Sequence, residues 1–262
     1  MNNWTIAEID RLLFSNKKVD REFIEKWRTD NRNGVQKLIA KWEKQEVQKE
    51  HARRQFVEMT LFERKYWSEG FKLIAGIDEA GRGPLAGPVV AGAVILPEDF
   101  YLPGLNDSKK LSKAKREEFF DIIHNQALSV GVGIIEAAEI DEINILEASK
   151  KAMLQATAQL KILPDFLLID AVKLETPYPF EALIKGDARS VSIAAASVIA
   201  KVTRDRLMME LDDRYPQYGF QANMGYGTAA HLTALKEHGV TDHHRKTFAP
   251  VRECIQQTWQ SG

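Results

Sequence analysis

Two textures of hydrophobic patterning divide the chain. Up to Gly70, apolar side chains recur at helical spacing, as at Phe23 and Trp27 or Val35, Leu38, Ile39 and Trp42, and predict two or three helices. Between Lys41 and Arg54 the pattern is almost wholly polar, with like charges four apart at Glu46 and Glu50 and at Lys49 and Arg53. That stretch is helical by propensity but a poor core former. After Gly70 short apolar runs bounded by Gly and Pro take over, at Leu73 to Ile77, Val89 to Leu96, Val130 to Ile135 and Phe166 to Ile169. These read as buried strands, and the alternating Gly131 and Gly133 mark a place where a helix can come close. Helices are predicted over Lys113 to Leu128, Asn144 to Leu160, Ser190 to Leu211 and Ala229 to His238. Strands that cluster first and then alternate with helices argue for an α/β domain with a mixed sheet. The expected organisation is a small α-helical N-terminal extension over residues 1–70 and an α/β domain over 71–262 that ends in a helical segment.

Charge and composition narrow the function. Across 262 residues, 36 Lys+Arg face 37 Asp+Glu for a net charge of -1, which excludes a partner held by bulk positive charge but not a local basic strip. The only cysteine is Cys254, so a disulfide framework and a multi-cysteine zinc site are both excluded. No apolar run approaches the ~20 residues of a membrane helix. Met1 to Asp10 lacks the basic-then-apolar order of a signal peptide, and the expected location is the cytoplasm. The first 70 residues carry 15 Lys+Arg against 12 Asp+Glu, no proline, and four of the five tryptophans. One reading makes this arm a nucleic-acid holder, with Arg53-Arg54 and Arg64-Lys65 near aromatic residues. The other makes it a solvated helical face whose aromatics pack on the main domain. The mild charge favours the second.

Candidate chemistry concentrates after the arm. Asp78 and Glu79 stand where an apolar strand stops, followed by Gly81-Arg82-Gly83-Pro84. On a regular strand the two acids would face opposite sides, so a bend there is expected to bring both to one site. The glycines permit the bend and let backbone N–H groups approach a ligand. A dinucleotide-binding loop is excluded by the G-x-G-x-x-x-G spacing and by Pro84, and no P-loop pattern is present. Asp170 ends another strand, and Asp187 follows Lys185-Gly186 and precedes Arg189. If these four acids converge, their oxygens suit Mg²⁺ or Mn²⁺, and a pair of such ions is a general solution for cutting a phosphodiester. Each Asp has an equally ordinary reading as a turn former or helix cap. Tyr226, between Gly225 and Gly227, is awkward as a core residue and well placed to stack on a sugar or base. His243-His244-Arg245-Lys246 has the look of a metal or phosphate cluster, but adjacent histidines without further ligands are a weak metal signal, and Phe248 with Ala249-Pro250 suggests a segment docking back on the domain, without a catalytic role.

Taken together these motifs carry a resemblance. Asp78-Glu79-x-Gly81-Arg82-Gly83-Pro84-x-x-Gly87-Pro88, Asn106-Asp107-Ser108-Lys109-Lys110-Leu111 and Lys185-Gly186-Asp187 occur in order between about residues 72 and 250. With Ala194-Ala195-Ala196-Ser197-x-x-Ala200-Lys201-Val202-x-Arg204-Asp205 and Gly225-Tyr226-Gly227-Thr228, they resemble bacterial ribonuclease HII. The resemblance implies a ribonuclease H-like mixed sheet flanked by helices, with Asp78, Glu79, Asp170 and Asp187 as catalytic, metal-binding carboxylates for Mn²⁺ or Mg²⁺, two ions during catalysis. It implies endonucleolytic cutting of RNA in RNA–DNA hybrids and nicking 5′ to single ribonucleotides in duplex DNA, leaving 5′-phosphate and 3′-hydroxyl ends. Gly81, Arg82 and Gly83 would read the 2′-hydroxyl and Tyr226 would stack on the neighbouring deoxyribose. Lys109, Lys110, Lys185 and Arg189 are candidates for phosphate contacts. A monomer is expected, and Gln256-Gln257-Thr258-Trp259 hints at a replication-clamp tail. The sibling ribonuclease HIII normally lacks the arginine found here at Arg82 and carries a β-rich N-terminal platform, which the helical arm does not resemble.

Overall fold

The computed structural model describes residues 4–15 and 19–260, without the side chains of 257–260. The chain forms two compact units, residues 1–57 and 58–262, whereas the texture of the sequence changes at Gly70.

The first unit is built on α1 (Ile6–Leu13), α2 (Arg21–Arg28) and α3 (Asn33–Met59). Thr5 opens α1 with a reciprocal cap: its Oγ1 accepts from Glu8 N at 3.3 Å while its own N–H donates to Glu8 Oε2 at 2.8 Å. Ile9, Leu13, Ile24, Trp27, Val35 and Ile39 are buried together, with Trp4, Leu12, Phe14, Val19, Leu38 and Trp42 packed around them. The aromatics of the arm, expected to pack on the main domain, here build a core of their own. Trp27 is 2% exposed inside the unit's own core, and Phe23 stacks on it. The polar stretch from Lys41 to Arg54 is the middle of α3, where acids and bases three or four apart pair, as in Arg54 to Glu50 at 2.9 Å.

The second unit opens with α4 (Leu61–Ser68), a fourth helix in the first 70 residues where two or three were expected. There follow β1 (Ile74–Ala80), β2 (Val89–Ile95), α5 (Lys113–Gln126), β3 (Ser129–Ile135), α6 (Ala137–Ala158) and β4 (Phe166–Asp170). The chain continues with β5 (Phe180–Leu183), α7 (Val191–Arg214), α8 (Phe220–Asn223), α9 (Ala229–His238) and α10 (Ala249–Gln260). The sheet order is β3-β2-β1-β4-β5, antiparallel between β1, β2 and β3 and parallel between β1, β4 and β5. The expected mixed sheet is therefore present. β5 was not anticipated, because three of its four residues are only partly buried and it carries no strong apolar run.

Helices cover both faces. On one, a Cβ added at Gly131 or Gly133 would lie 2.0 Å from a carbonyl oxygen of α6, so the glycines let that helix sit directly on β3. On the other, the Ala- and Ser-rich start of α7 lies against β1 and β2. Asn144 has φ 68° and interrupts α6, and its Oδ1 accepts from Leu146 N and Glu147 N, so a second helical segment starts at that residue. Phe62, Tyr66, Trp67 and Phe71 pack with Phe166, Leu168, Leu183 and Ile193. Among the described residues no helix is long and apolar enough to cross a membrane.

Candidate active site

Four acids gather at the carboxyl edge of the central parallel strands. Asp78 and Glu79 do not sit in a bend: β1 runs on through Ala80, with Asp78 opposite Gly92 and Glu79 opposite Ala91. The neighbouring strand explains why both still face one site. β4 pairs with β1 only as far as Ile77 opposite Ile169, so the acids project beyond the last rung on that side, and Asp170 ends β4 beside them. Asp187 comes from the 3-10 turn Gly186–Ala188, which is tied to β4 by Gly186 N donating to Asp170 Oδ1 at 2.6 Å.

Their electrostatics place them in one another's field. Burial pushes the Asp78 carboxyl well up, and Glu79 and Asp170 push it further, against the Ser197 hydroxyl. Glu79 is raised chiefly by burial, with Arg82 opposing and Asp170 adding. Asp170 and Asp187 are raised mainly by burial too; Asp107 adds to both and Lys109 opposes both. Like charges at close range disfavour ionisation, and these four share that condition. Arg82 Nη1 donates to Glu79 Oε1 at 3.2 Å, while Glu79 Oε2 is buried with no hydrogen bond. Among the described residues, no three His, Cys, Asp or Glu side chains are arranged to hold a metal ion as they stand. The donor set nevertheless fits a hard divalent cation in kind: carboxylate oxygens raised chiefly by burial and further by neighbouring acids, with Glu79 Oε2 without a hydrogen-bond partner among the described residues.

The glycine loop is held from beneath. Arg245, fully buried, donates from Nη2 to Gly81 O at 2.6 Å, from Nη1 to Arg82 O at 2.9 Å, and from Nε to Gly87 O at 3.1 Å. Arg204, 1% exposed, donates to the carbonyls of Pro88, Ala86 and Met224 at 3.0–3.1 Å. In a trans peptide the C=O and the following N–H point in opposite directions. With the carbonyls of Gly81 and Arg82 turned down to Arg245, the N–H groups of Arg82 and Gly83 point out from the loop. Gly81 has φ 97°, and a Cβ there would lie 2.1 Å from Arg204 Nε, so only glycine fits above the clamp.

Tyr226 stands beside this loop, 47% exposed, and its Cε1 lies 3.6 Å from where a Gly83 Cβ would be. Leu85 N donates to Gly225 O at 2.8 Å, which locks the two loops together. Behind Tyr226, His231 Nδ1 meets its carbonyl at 2.9 Å, and His231 Nε2 meets His244 Nε2 at 3.1 Å. Since Thr241 N donates to His244 Nδ1, His244 carries its proton on Nε2 and His231 on Nδ1, and both rings are neutral. Burial lowers both, His244 to about 4.

The expected phosphate contacts divide. Lys109 lies near enough to oppose the rise at Glu79, Asp170 and Asp187. Arg189 turns away, its guanidinium 5.0 Å above the Phe62 ring and donating to Ile184 O. Lys110 and Lys185 are exposed. Sequence reasoning missed Asp107, Arg204 and Arg245 as parts of the site. Asp107 also caps its own turn, accepting from Lys109 N at 2.9 Å, and Ser108 Oγ meets Ser197 Oγ at 2.9 Å beneath Asp78. A buried guanidinium that serves carbonyls has no sequence signal of its own. The docking of His243 to Arg245 was visible, its purpose was not.

Comparison with known proteins points one way. The profile of the ribonuclease HII family matches residues 75–251, and that of the ribonuclease HII N-terminal domain matches residues 5–67. A ribonuclease HII from Geobacillus sp. (strain WCH70) is 55% identical over 256 residues, covering 98% of this chain and 92% of the relative. The crystal structure of ribonuclease H2 from Pyrococcus horikoshii OT3 superposes with a TM-score of 0.63 at 28% identity, over 71% of this chain and 99% of that one. The ribonuclease HII in the PCNA complex from Archaeoglobus fulgidus gives 0.58 at 28% identity, over 67% and 95%. Bst-RNase HIII in complex with Mn²⁺ gives 0.58 at 16% identity, over 72% and 71%, a likeness of fold alone.

Proposed function

The chain belongs to the ribonuclease HII family and is an endoribonuclease of RNA–DNA hybrids, and on that premise we propose that it also nicks duplex DNA 5′ to a single embedded ribonucleotide, in a divalent-metal-dependent reaction. The observation that carries this reading is the juxtaposition of two outward N–H donors, at Arg82 and Gly83, with the Tyr226 ring beside the acid cluster. A 2′-hydroxyl is what separates RNA from DNA at one residue, and backbone donors on a rigid loop can bind it without reading the base. The Tyr226 ring offers a stacking face for the adjoining deoxyribose, so a junction between ribo- and deoxyribonucleotide fills both subsites at once.

Asp78, Glu79, Asp170 and Asp187 would hold Mg²⁺ or Mn²⁺. Bound there, such ions would supply an activated water and stabilise the leaving 3′-oxygen, which would leave 5′-phosphate and 3′-hydroxyl ends. Lys109 would meet the substrate phosphate, a role supported by its nearness to the acids, whose rise it and Arg82 oppose. Arg82 keeps Glu79 oriented. A sliding-clamp contact through Gln256-Gln257-Thr258-Trp259 is proposed from the residue pattern and the archaeal complex alone, because the side chains of 257–260 lie outside the described residues.

The test uses a labelled duplex with one ribonucleotide, an all-DNA control and a long hybrid, each with Mn²⁺, Mg²⁺ or EDTA. A nick 5′ to the ribonucleotide, absent with EDTA and in the all-DNA duplex, is expected. Cutting of the long hybrid alone would overturn the embedded-ribonucleotide reading. Tyr226→Ala is expected to slow cutting at the single ribonucleotide by roughly 10–100-fold, the worth of one stacked ring, with a smaller loss on the hybrid. Equal rates for this variant and the parent at the single ribonucleotide would remove the stacking role.

A further inference from the structure

A buried acid outside the cluster remains without an assignment. Glu63 lies on α4, ahead of the segment 75–251, and is 1% exposed. Its Oε1 accepts from Ser190 Oγ at 2.5 Å and from Ser192 N at 2.9 Å, while Oε2 is buried without a hydrogen bond of normal geometry. A half-satisfied buried carboxylate is costly. Its setting offsets part of that, since the first turn of the 24-residue α7 presents unpaired N–H groups and the positive end of the helix dipole. Capping alone does not require Glu63. Ser190 already caps α7 by accepting from Ile193 N at 3.2 Å.

What Glu63 adds is a fixed hydroxyl. Ser190 Oγ accepts from the helix and donates to Glu63, so its rotamer is determined from both sides. Ser190 N in turn donates to Gly186 O at 2.8 Å, closing the turn that carries Asp187. The other end of that turn is tied to Asp170 through Gly186 N.

We propose that Glu63 is a positioning residue for the Asp187 turn, so that the helix preceding the first strand helps set the geometry of the catalytic acids. The inference rests on the reading of Asp187 as one of those acids. α4 holds its place independently of Glu63, through Phe62, Tyr66 and Trp67 packed with residues of β4, β5 and α7. Removing the carboxylate therefore loosens the turn rather than the fold.

The experiment compares Glu63→Ala, Glu63→Gln, Ser190→Ala, the Glu63→Ala/Ser190→Ala double variant and Asp187→Asn in the full chain. Readouts are kcat and KM with Mn²⁺, Tm, and amide hydrogen exchange of residues 186–192 without metal. Glu63→Ala is expected to lower kcat about tenfold with KM within twofold, and to speed exchange in 186–192 while other segments keep their protection. Glu63→Gln retains an acceptor oxygen and is expected to recover most of kcat. The double variant is expected to lose no more than the worse single one. A Glu63→Ala enzyme with lowered Tm but unaltered kcat and unaltered exchange at 186–192 would overturn the proposal and leave Glu63 a structural residue. Turnover retained by Asp187→Asn would instead overturn the assignment of Asp187, a separate result. Additive losses in the double variant would break the link through Ser190 and overturn the proposed route.

Discussion

The acid edge and the loop cradle lie side by side in one site and are built on opposite principles. At the edge, Asp78, Glu79, Asp170 and Asp187 are buried near one another, each raised above its ordinary value, with Glu79 Oε2 unpartnered. In the cradle, Arg204, Arg245, His231 and His244 are buried more deeply, yet every one is engaged in hydrogen bonds to backbone or to one another. On the proposed reading, the edge keeps unsatisfied groups because a divalent cation would complete it. The cradle is saturated because its task is to hold donors still. A site that does chemistry and a site that recognises shape thus carry opposite stability signatures, the usual tension between activity and stability confined to one half.

The largest test of that contrast is Asp78→Asn. Removal of one member of the acid set is expected to cut turnover by roughly three orders of magnitude or more. Because a raised carboxyl contributes stability below its unfolded value and loses it as pH rises through its folded value, the amide is expected to raise Tm at neutral pH. A rise of roughly 2–4 °C corresponds to about 1 kcal/mol in a domain of this size. Calorimetry and a cleavage assay on the same preparation check both halves. A lowered Tm would mean the acids are structural.

Arg245→Met should do the reverse. Stripping the guanidinium leaves the carbonyls of Gly81, Arg82 and Gly87 without their donor, and a loss of about 3 kcal/mol, roughly 6–12 °C in Tm, is expected. Discrimination between single ribonucleotides and all-DNA duplex should fall with it, as the outward N–H groups lose their aim. An unchanged Tm would dissolve the distinction between cradle and edge.

The smallest effect is in acid. His244, lowered to about 4 from 6.5, contributes stability in full above 6.5 and loses it as pH falls toward 4, whereas the acids gain over the same range. His244→Gln is expected to flatten the cradle's share of this slope by up to about 1.4 kcal/mol per pH unit, read from denaturant midpoints between pH 6.5 and 4. A slope identical to that of the parent would show that the histidine pair does not respond as a buried neutral relay.

Much of this was legible in the residues, for identifiable reasons. Ala229 to His238 is a helix with the bounds its pattern predicts, since Thr228 caps it and Gly239 ends it. Asn144 was expected to start a helix and does, although the chain ahead of it is helical as well. Asp78, Glu79 and Asp170 drew notice because they stand where apolar runs end, whereas Asp187 follows Lys185-Gly186 and was tied to them only through the resemblance. The bend proposed for Asp78 and Glu79 failed because strand pairing is not visible in one strand's sequence: the early end of β4, not a kink, opens the edge. The core of the first unit was hidden because its buried residues come two each from three separate helices, whose meeting no single stretch of sequence displays. Arg204 and Arg245 were hidden because a basic residue reads as surface until its burial is known.

Two buried guanidiniums have a reach beyond the loop they hold. Among the described residues neither Arg204 nor Arg245 has a carboxylate among its hydrogen-bond partners, so their charge is spread mainly over carbonyl dipoles, with Asp205 and Asp141 acting only at longer range. A chain whose formal charge is only -1 therefore carries a standing positive potential beneath the surface over which a polyanion would lie. Surface lysines lose their pull as salt rises, with a screening length near 8 Å at physiological ionic strength. A source sunk in low dielectric is screened less, so on the proposed reading part of its attraction for a sugar–phosphate chain would persist as salt rises.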